Sequence, residues 1–246
     1  GTSCLRGYSP CGDNEAALQV ARNLGAEVNV NGNEVTIKGI SAQSGGLNLP
    51  ELHVGESGLL TRMLIPLMAQ LSPDPVSFTG EKTLLGRPLT GAKEIMDAFE
   101  ATVIPSSPTV IPSEAEESIV RVPLTVKGPL KAGRAEISGK HGSQLISGLL
   151  MALPFAEKNS SLIVHEPKSI PYMFITLEVL KKFGIKVGND MLGGRDFLES
   201  DGDWSLCTEM VFKVKGGQKY KAADIDLEGD WSAAANFLVA GAIFGK

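Results

Sequence analysis

Three histidines (His53, His141, His165) and three cysteines (Cys4, Cys11, Cys207) are the only soft metal ligands in 246 residues. None stands at HExxH or CxxC spacing, so neither a zinc site nor a paired redox motif is expected. The odd cysteine count argues for free thiols in a reduced, cytoplasmic compartment, ahead of a Cys4–Cys11 bridge. Basic charge is not in excess either. The formal net charge is −5, which excludes a general field for nucleic acid, so an anionic ligand would need local donors. The longest apolar runs, around 145–156 and 233–244, fall short of the ~18–20 residues a membrane span needs. No signal-peptide pattern opens the chain. GxSxG, P-loop and GxGxxG are all missing, and no metal or cofactor is expected.

What is there is a repeat. The composition, 43% hydrophobic and 21% charged, suits a soluble globular protein of one or two domains. Three alternating stretches end in Lys-Gly: "TIKG" at 36–39, "TVKG" at 125–128 and "KVKG" at 213–216. An amphipathic helix is expected before each. The first carries Ala17, Val20, Ala21 and Leu24 on one face, with Asp13 as its cap and Gly25 as its stop. The second carries Ala92, Ile95, Met96 and Phe99, with Pro88 near its first turn. The third carries Met173, Leu177 and Leu180 with Phe174 alongside, Lys181 and Lys182 at its end and Gly184 as its stop. Short strands follow at Glu27–Val30, Ala101–Ile104 and Ile185–Val187.

Downstream of each Lys-Gly comes a helix that is apolar nearly all round, at 55–71, 141–157 and 229–245, and so expected to be buried. Strands "VSFTGE" and "SLIVHEP" follow the first two. The unit is strand, buried helix, strand, amphipathic helix, strand, strand. Its period is too long for a solenoid, so three large units packing their apolar helices together is the expected architecture. Two units are complete, Glu51–Gly128 and Ala135–Gly216. The unit ending at Gly39 lacks its first strand and buried helix, and the helix at 230–244 begins a unit with no end. The chain therefore reads as a fragment. The acidic run Glu114–Glu117 and the stretch 191–204 read as loops.

Buried helices present unpaired N–H groups at their N-termini, and here those ends carry Gly and small polar residues: Glu56-Ser57-Gly58, Gly142-Ser143-Gln144 and Gly229-Asp230. If symmetry gathers these ends, they form a shared anion site. Glu56 would then cap its own helix or pair with a cation. Arg87, on a loop in "LLGRPLTG", suits phosphate, although a solvated surface arginine is the default reading. Arg62 lies one turn into an apolar helix, so it must be paired or reach solvent. Ser169 and Tyr172 sit at a strand-to-helix turn, where capping and core packing account for them equally well.

The ordered segments "ESGLLTR", "TGEKTLLGRPL", "SGKHGSQLISGLLMALP", "EPKSIPYMFITLEVLKKFGI" and "EGDWSAAANFL" resemble the enolpyruvyl transferases, and the resemblance runs from Gly1 to Lys246. It implies an α/β (α+β) fold: a pseudo-threefold domain of repeated β-α-β-α-β-β units, with buried helices inside and sheets outside. It assigns 1–226 to a globular N-terminal domain and 227–246 to the first helix of a missing C-terminal domain. The members most resembled transfer the enolpyruvyl group of phosphoenolpyruvate to the 5-hydroxyl of shikimate 3-phosphate, in aromatic amino-acid biosynthesis. The resemblance implies that Ser143, Gln144 and Ser169 bind shikimate 3-phosphate, that Tyr172 lines its ring, and that Gly58, Arg87 and Gln144 hold the phosphate of phosphoenolpyruvate. It also implies that a Lys-Ser…Arg motif belongs before Gly1, so the 246 residues alone are expected to have no turnover. Four positions depart from the pattern: Glu56 where many members have Asn, Leu59 for Thr, Met63 for Pro, and Gly142 for Ser. The alternatives are a relative acting on UDP-N-acetylglucosamine, whose usual loop cysteine is absent from "GESGLLTR", and a non-catalytic anion-binding or interaction domain.

Overall fold

Strand periodicity lays down the outer layers. In Val76–Thr79 and Leu124–Lys127 every second side chain is buried, so each strand turns one face inward. The computed structural model describes residues 1–40, 50–106 and 119–244. The acidic run Glu114–Glu117 lies outside them.

The first unit comprises β1 (Thr2–Arg6), α1 (Gly12–Asn23), β2 (Glu27–Asn31) and β3 (Glu34–Lys38). The second has β4 (Glu51–His53), α2 (Gly58–Leu71), β5 (Val76–Thr79), α3 (Ala92–Asp97), β6 (Thr102–Pro105) and β7 (Leu124–Lys127). The third has β8 (Arg134–Ser138), α4 (Gln144–Ala152), β9 (Ser160–His165), α5 (Ile170–Lys182), β10 (Val187–Gly193), a short α6 (Arg195–Glu199) and β11 (Cys207–Val214). Last come β12 (Ile225–Asp226) and α7 (Trp231–Phe244).

The three sheets share one plan. The second unit orders its strands β4-β5-β7-β6 and the third β8-β9-β11-β10, each with a parallel first pair and antiparallel pairs after it. The first unit's sheet is β12-β1-β3-β2, with β12 parallel to β1. The opening strand expected to be missing there is thus supplied by Ile225–Asp226, from far along the chain.

Helices α2 and α4 pack together inside. Ile65, Met68, Ile146 and Leu149 are almost fully buried against Phe78 and Phe212 from the sheets. The two backbones touch: a β-carbon on Gly148 would stand 2.6 Å from the Met63 carbonyl oxygen, so only glycine fits. Two of the three Lys-Gly glycines, Gly128 and Gly216, have the same explanation. A β-carbon on Gly128 would lie 1.8 Å from the Ala69 carbonyl oxygen, and one on Gly216 2.4 Å from that of Lys158. Each abuts the C-terminal end of its own unit's apolar helical segment.

Several sequence expectations need correction. The third apolar helix, α7, is not buried: Phe237, Leu238, Val239 and Ile243 are 58–80% exposed. The residue before α1 is Cys11, with no side-chain cap, and Asp13 lies in the first turn, where its charge favours the helix's positive end. Helix α3 begins at Ala92 after a left-handed Gly91, well past Pro88. The 191–204 stretch is only partly loop. β10 runs through Gly193 because its backbone pairs with β11, and α6 follows. Trp204 stacks on Phe174 with ring centroids 5.2 Å apart. Cys4, Cys11 and Cys207 are free. Among the described residues no helix is long and apolar enough to cross a membrane.

Candidate anion-binding site

Ser57 opens α2. Its extended backbone lets Oγ accept from Leu60 N at 3.1 Å, while its carbonyl accepts from Thr61 N. Gly58, buried, is the first helical residue. A β-carbon there would meet Arg62 Nη1 at 3.0 Å and Arg87 Nη1 at 3.9 Å, so both guanidinium groups lie over this helix end.

Arg62 does not hold Glu56. It donates to the Gly58 carbonyl at 3.0 Å and to the Pro88 carbonyl at 2.7 Å, clamping the loop that carries Arg87 onto α2. Burial, and then the positive charge of Arg87, pull the Arg62 guanidinium below its ordinary range. Glu56 pairs instead with the 3-10 turn Lys82–Gly86. Its carboxylate accepts from Thr83 Oγ1 at 2.8 Å and Thr83 N at 3.3 Å, and lies 3.4 Å from Lys82 Nζ. These bonds, Thr83's first, hold it below the usual carboxylate range. Arg87, exposed, donates to Thr83 Oγ1 at 3.0 Å.

The same loop continues to the second helix end. Gly91, at φ +79°, lies so close to His141 that a β-carbon would stand 2.8 Å from the ring. Three residues on, α4 begins. Ser143 precedes it, buried, with no side-chain cap bond, in contrast to Ser57. Gln144 is half-buried in the first turn. On the other side, the 139–142 turn meets the loop before α5: Lys168 N donates to the Gly139 carbonyl at 3.3 Å, and Lys140 pairs with Glu166 at 2.8 Å. Ser169 takes a left-handed backbone at the start of α5, and Tyr172 in its first turn is 52% exposed. Lower down, Ser147 Oγ and Thr176 Oγ1 join α4 to α5 at 2.8 Å.

Gly58, Arg87, Ser143, Gln144, Ser169 and Tyr172 therefore lie along one edge, on consecutive loops that touch. Together they offer helix N–H groups, hydroxyls, an amide and a guanidinium, a donor set suited to phosphate and hydroxyl ligands. The edge is open. A cavity of about 510 Å3 adjoins it, between α1 and the α2 loop, lined among others by Glu15, Arg22, His53, Glu56 and Lys82. Among the described residues no cluster of His, Cys, Asp or Glu could hold a metal. Sequence reasoning missed Thr83, since nothing in the chain marks a partnership across 27 residues with Glu56.

A three-unit α/β domain with apolar helices ending on a phosphate-suited edge has the build of an enolpyruvyl transferase domain. The chain belongs to the EPSP synthase (3-phosphoshikimate 1-carboxyvinyltransferase) family, whose model matches residues 1–246. It is 34% identical over 232 residues to a Clostridium kluyveri 3-phosphoshikimate 1-carboxyvinyltransferase, covering 94% of this chain and 47% of that protein. A Methanococcus maripaludis protein of the same name is 29% identical over 247 residues, covering 99% and 51%. The EPSP synthase structure from Acinetobacter baumannii shares the fold, with a TM-score of 0.71 at 24% identity over 99% of this chain and 48% of that one. The chain spans about half the length of the curated relatives it matches.

Proposed function

We propose that this chain supplies one substrate-binding half of a cytoplasmic 3-phosphoshikimate 1-carboxyvinyltransferase. Residues 1–226 form its N-terminal domain, and α7 starts the next. The carrying observation is the shared edge, where the 86–91 loop ties the N-terminal ends of α2 and α4 together and sets Arg87 over Gly58. Family membership supports the choice of substrates.

In this reading Ser143, Gln144 and Ser169 donate to shikimate 3-phosphate, and Tyr172 packs on its ring. Arg87, the Gly58 N–H and Gln144 neutralise the phosphate of phosphoenolpyruvate. The 5-hydroxyl gives up its proton to a base as its oxygen adds to C2 of phosphoenolpyruvate and C3 gains a proton. The C2–O bond to phosphate then breaks, C3 loses a proton, and the enol ether and free phosphate leave. Fixed positive charge at the phosphate favours both the adduct and the departing anion. The proton-transferring groups belong to the part of the enzyme beyond these residues, so the 246 residues alone have no turnover.

The test is a calorimetric titration of shikimate 3-phosphate into the chain, with amide shifts followed at Gln144 and Ser169. Binding that Ser143→Ala and Gln144→Ala weaken supports the reading. Shifts confined to other surfaces, or steady phosphate release by the 246 residues, contradict it.

A further inference from the structure

An acid beside a site for anions is the least expected feature of this edge. Its surroundings give it a purpose. A threonine hydroxyl has one proton and two lone pairs. Thr83 commits its proton to Glu56 Oε1 at 2.8 Å, which leaves a lone pair to accept from Arg87 Nη2 at 3.0 Å. The Thr83 N–H donates to the same carboxylate oxygen, so backbone and side chain are fixed together. The other carboxylate oxygen faces Lys82 at 3.4 Å, which offsets its negative charge.

We propose that Glu56 and Thr83 form a positioning relay that sets the direction of the Arg87 guanidinium over the N-terminal end of α2. This rests on the reading of Arg87 as a phosphoenolpyruvate ligand. Without the relay, Arg87 is an exposed side chain on a loop, free to spend much of its time in solvent, and the anion must meet the entropy of ordering it. With the relay, that ordering precedes binding. Arg62 acts differently, clamping the loop's backbone at Pro88 while Glu56 and Thr83 aim the side chain. Only Glu56 carries the directional information, since Thr83 alone could turn its proton elsewhere.

The test uses the whole chain and two readouts. One is the ordering of the Arg87 side chain, from the exchange and relaxation of its Nε–H signal without ligand. The other is phosphoenolpyruvate affinity, from amide shifts at Gly58. Thr83→Val and Glu56→Ala are expected to disorder Arg87 and weaken binding about three- to tenfold. Thr83→Ser and Glu56→Gln keep the accepting oxygens and are expected to retain both. Thr83→Val is the cleaner probe, because it preserves the backbone bond to Glu56. Arg87 remaining ordered in Thr83→Val, or affinity remaining unchanged once Arg87 is disordered, overturns the relay. Arg87→Ala separates the two claims. If it leaves phosphoenolpyruvate affinity intact, the anion reading fails, and Arg87 ordering alone judges the Glu56–Thr83 pair.

Discussion

Gly128 and Gly39 end similar strands, yet their surroundings differ. Gly128 meets the Ala69 carbonyl, whereas a β-carbon on Gly39 would find nothing nearer than the Gly1 carbonyl oxygen at 3.9 Å. Gly128→Ala is therefore expected to destabilise the protein by about 1–3 kcal/mol, and Gly39→Ala to change stability by less than about 0.5 kcal/mol, as read from urea midpoints. Glu56 gives a second test, by pH. Its folded pKa is depressed by Thr83 and Lys82, with Glu81 also pairing with Lys82 at 3.6 Å. The contribution it makes is fully present above its unfolded value, about 4.3, and is lost as pH falls through the lower folded value. A carboxyl titration by NMR should place Glu56 below ordinary glutamates, and Glu56→Gln should flatten the acid-side loss of stability. No shape or periodicity in the sequence reveals the Glu56 network, because its members meet only through the loop that Arg62 clamps.

The apolar helices α2 and α4 look alike in sequence and differ at their first turns. Ser57 uses its hydroxyl to cap α2, while Ser143 leaves the start of α4 uncapped by side chains. Ser57→Ala should cost about 1 kcal/mol of stability by thermal or chemical unfolding. Ser143→Ala should leave stability nearly unchanged and act on ligand affinity instead. The helices themselves were legible from the chain: uniform apolarity called for burial, and α2 and α4 are buried. Helix stops at Gly25 and Gly184 were legible too, because a left-handed residue there is written as glycine. Helix starts were read less well, at Asp13 and Pro88, since a cap depends on which backbone groups stay free after packing. The 191–204 stretch misled for a related reason. Its glycines and acids signal a turn, but pairing with β11 draws residues up to Gly193 into a strand.

Across the whole molecule, the three sheets repeat one strand order, and the first is completed by β12 from the far end of the described chain. Helix α7 follows it with its apolar side chains largely exposed. Removing residues 229–246 should therefore shift the thermal midpoint little, whereas a cut before Ile225 also removes the strand beside β1 and should lower it clearly. Equal midpoints for the two truncations would show that β12 contributes nothing. The sequence by itself determined the unit, its repetition, the apolar helices and the family, because periodicity, glycine stops and ordered motifs are local properties of a chain. Only the tertiary structure decided which strand completes the first sheet, that α7 stands apart, and that Glu56 faces Thr83 while Arg62 holds Pro88. Those outcomes depend on contacts between residues distant along the chain, where hydrogen-bond geometry and close backbone approach choose among partners that residue types alone leave equivalent.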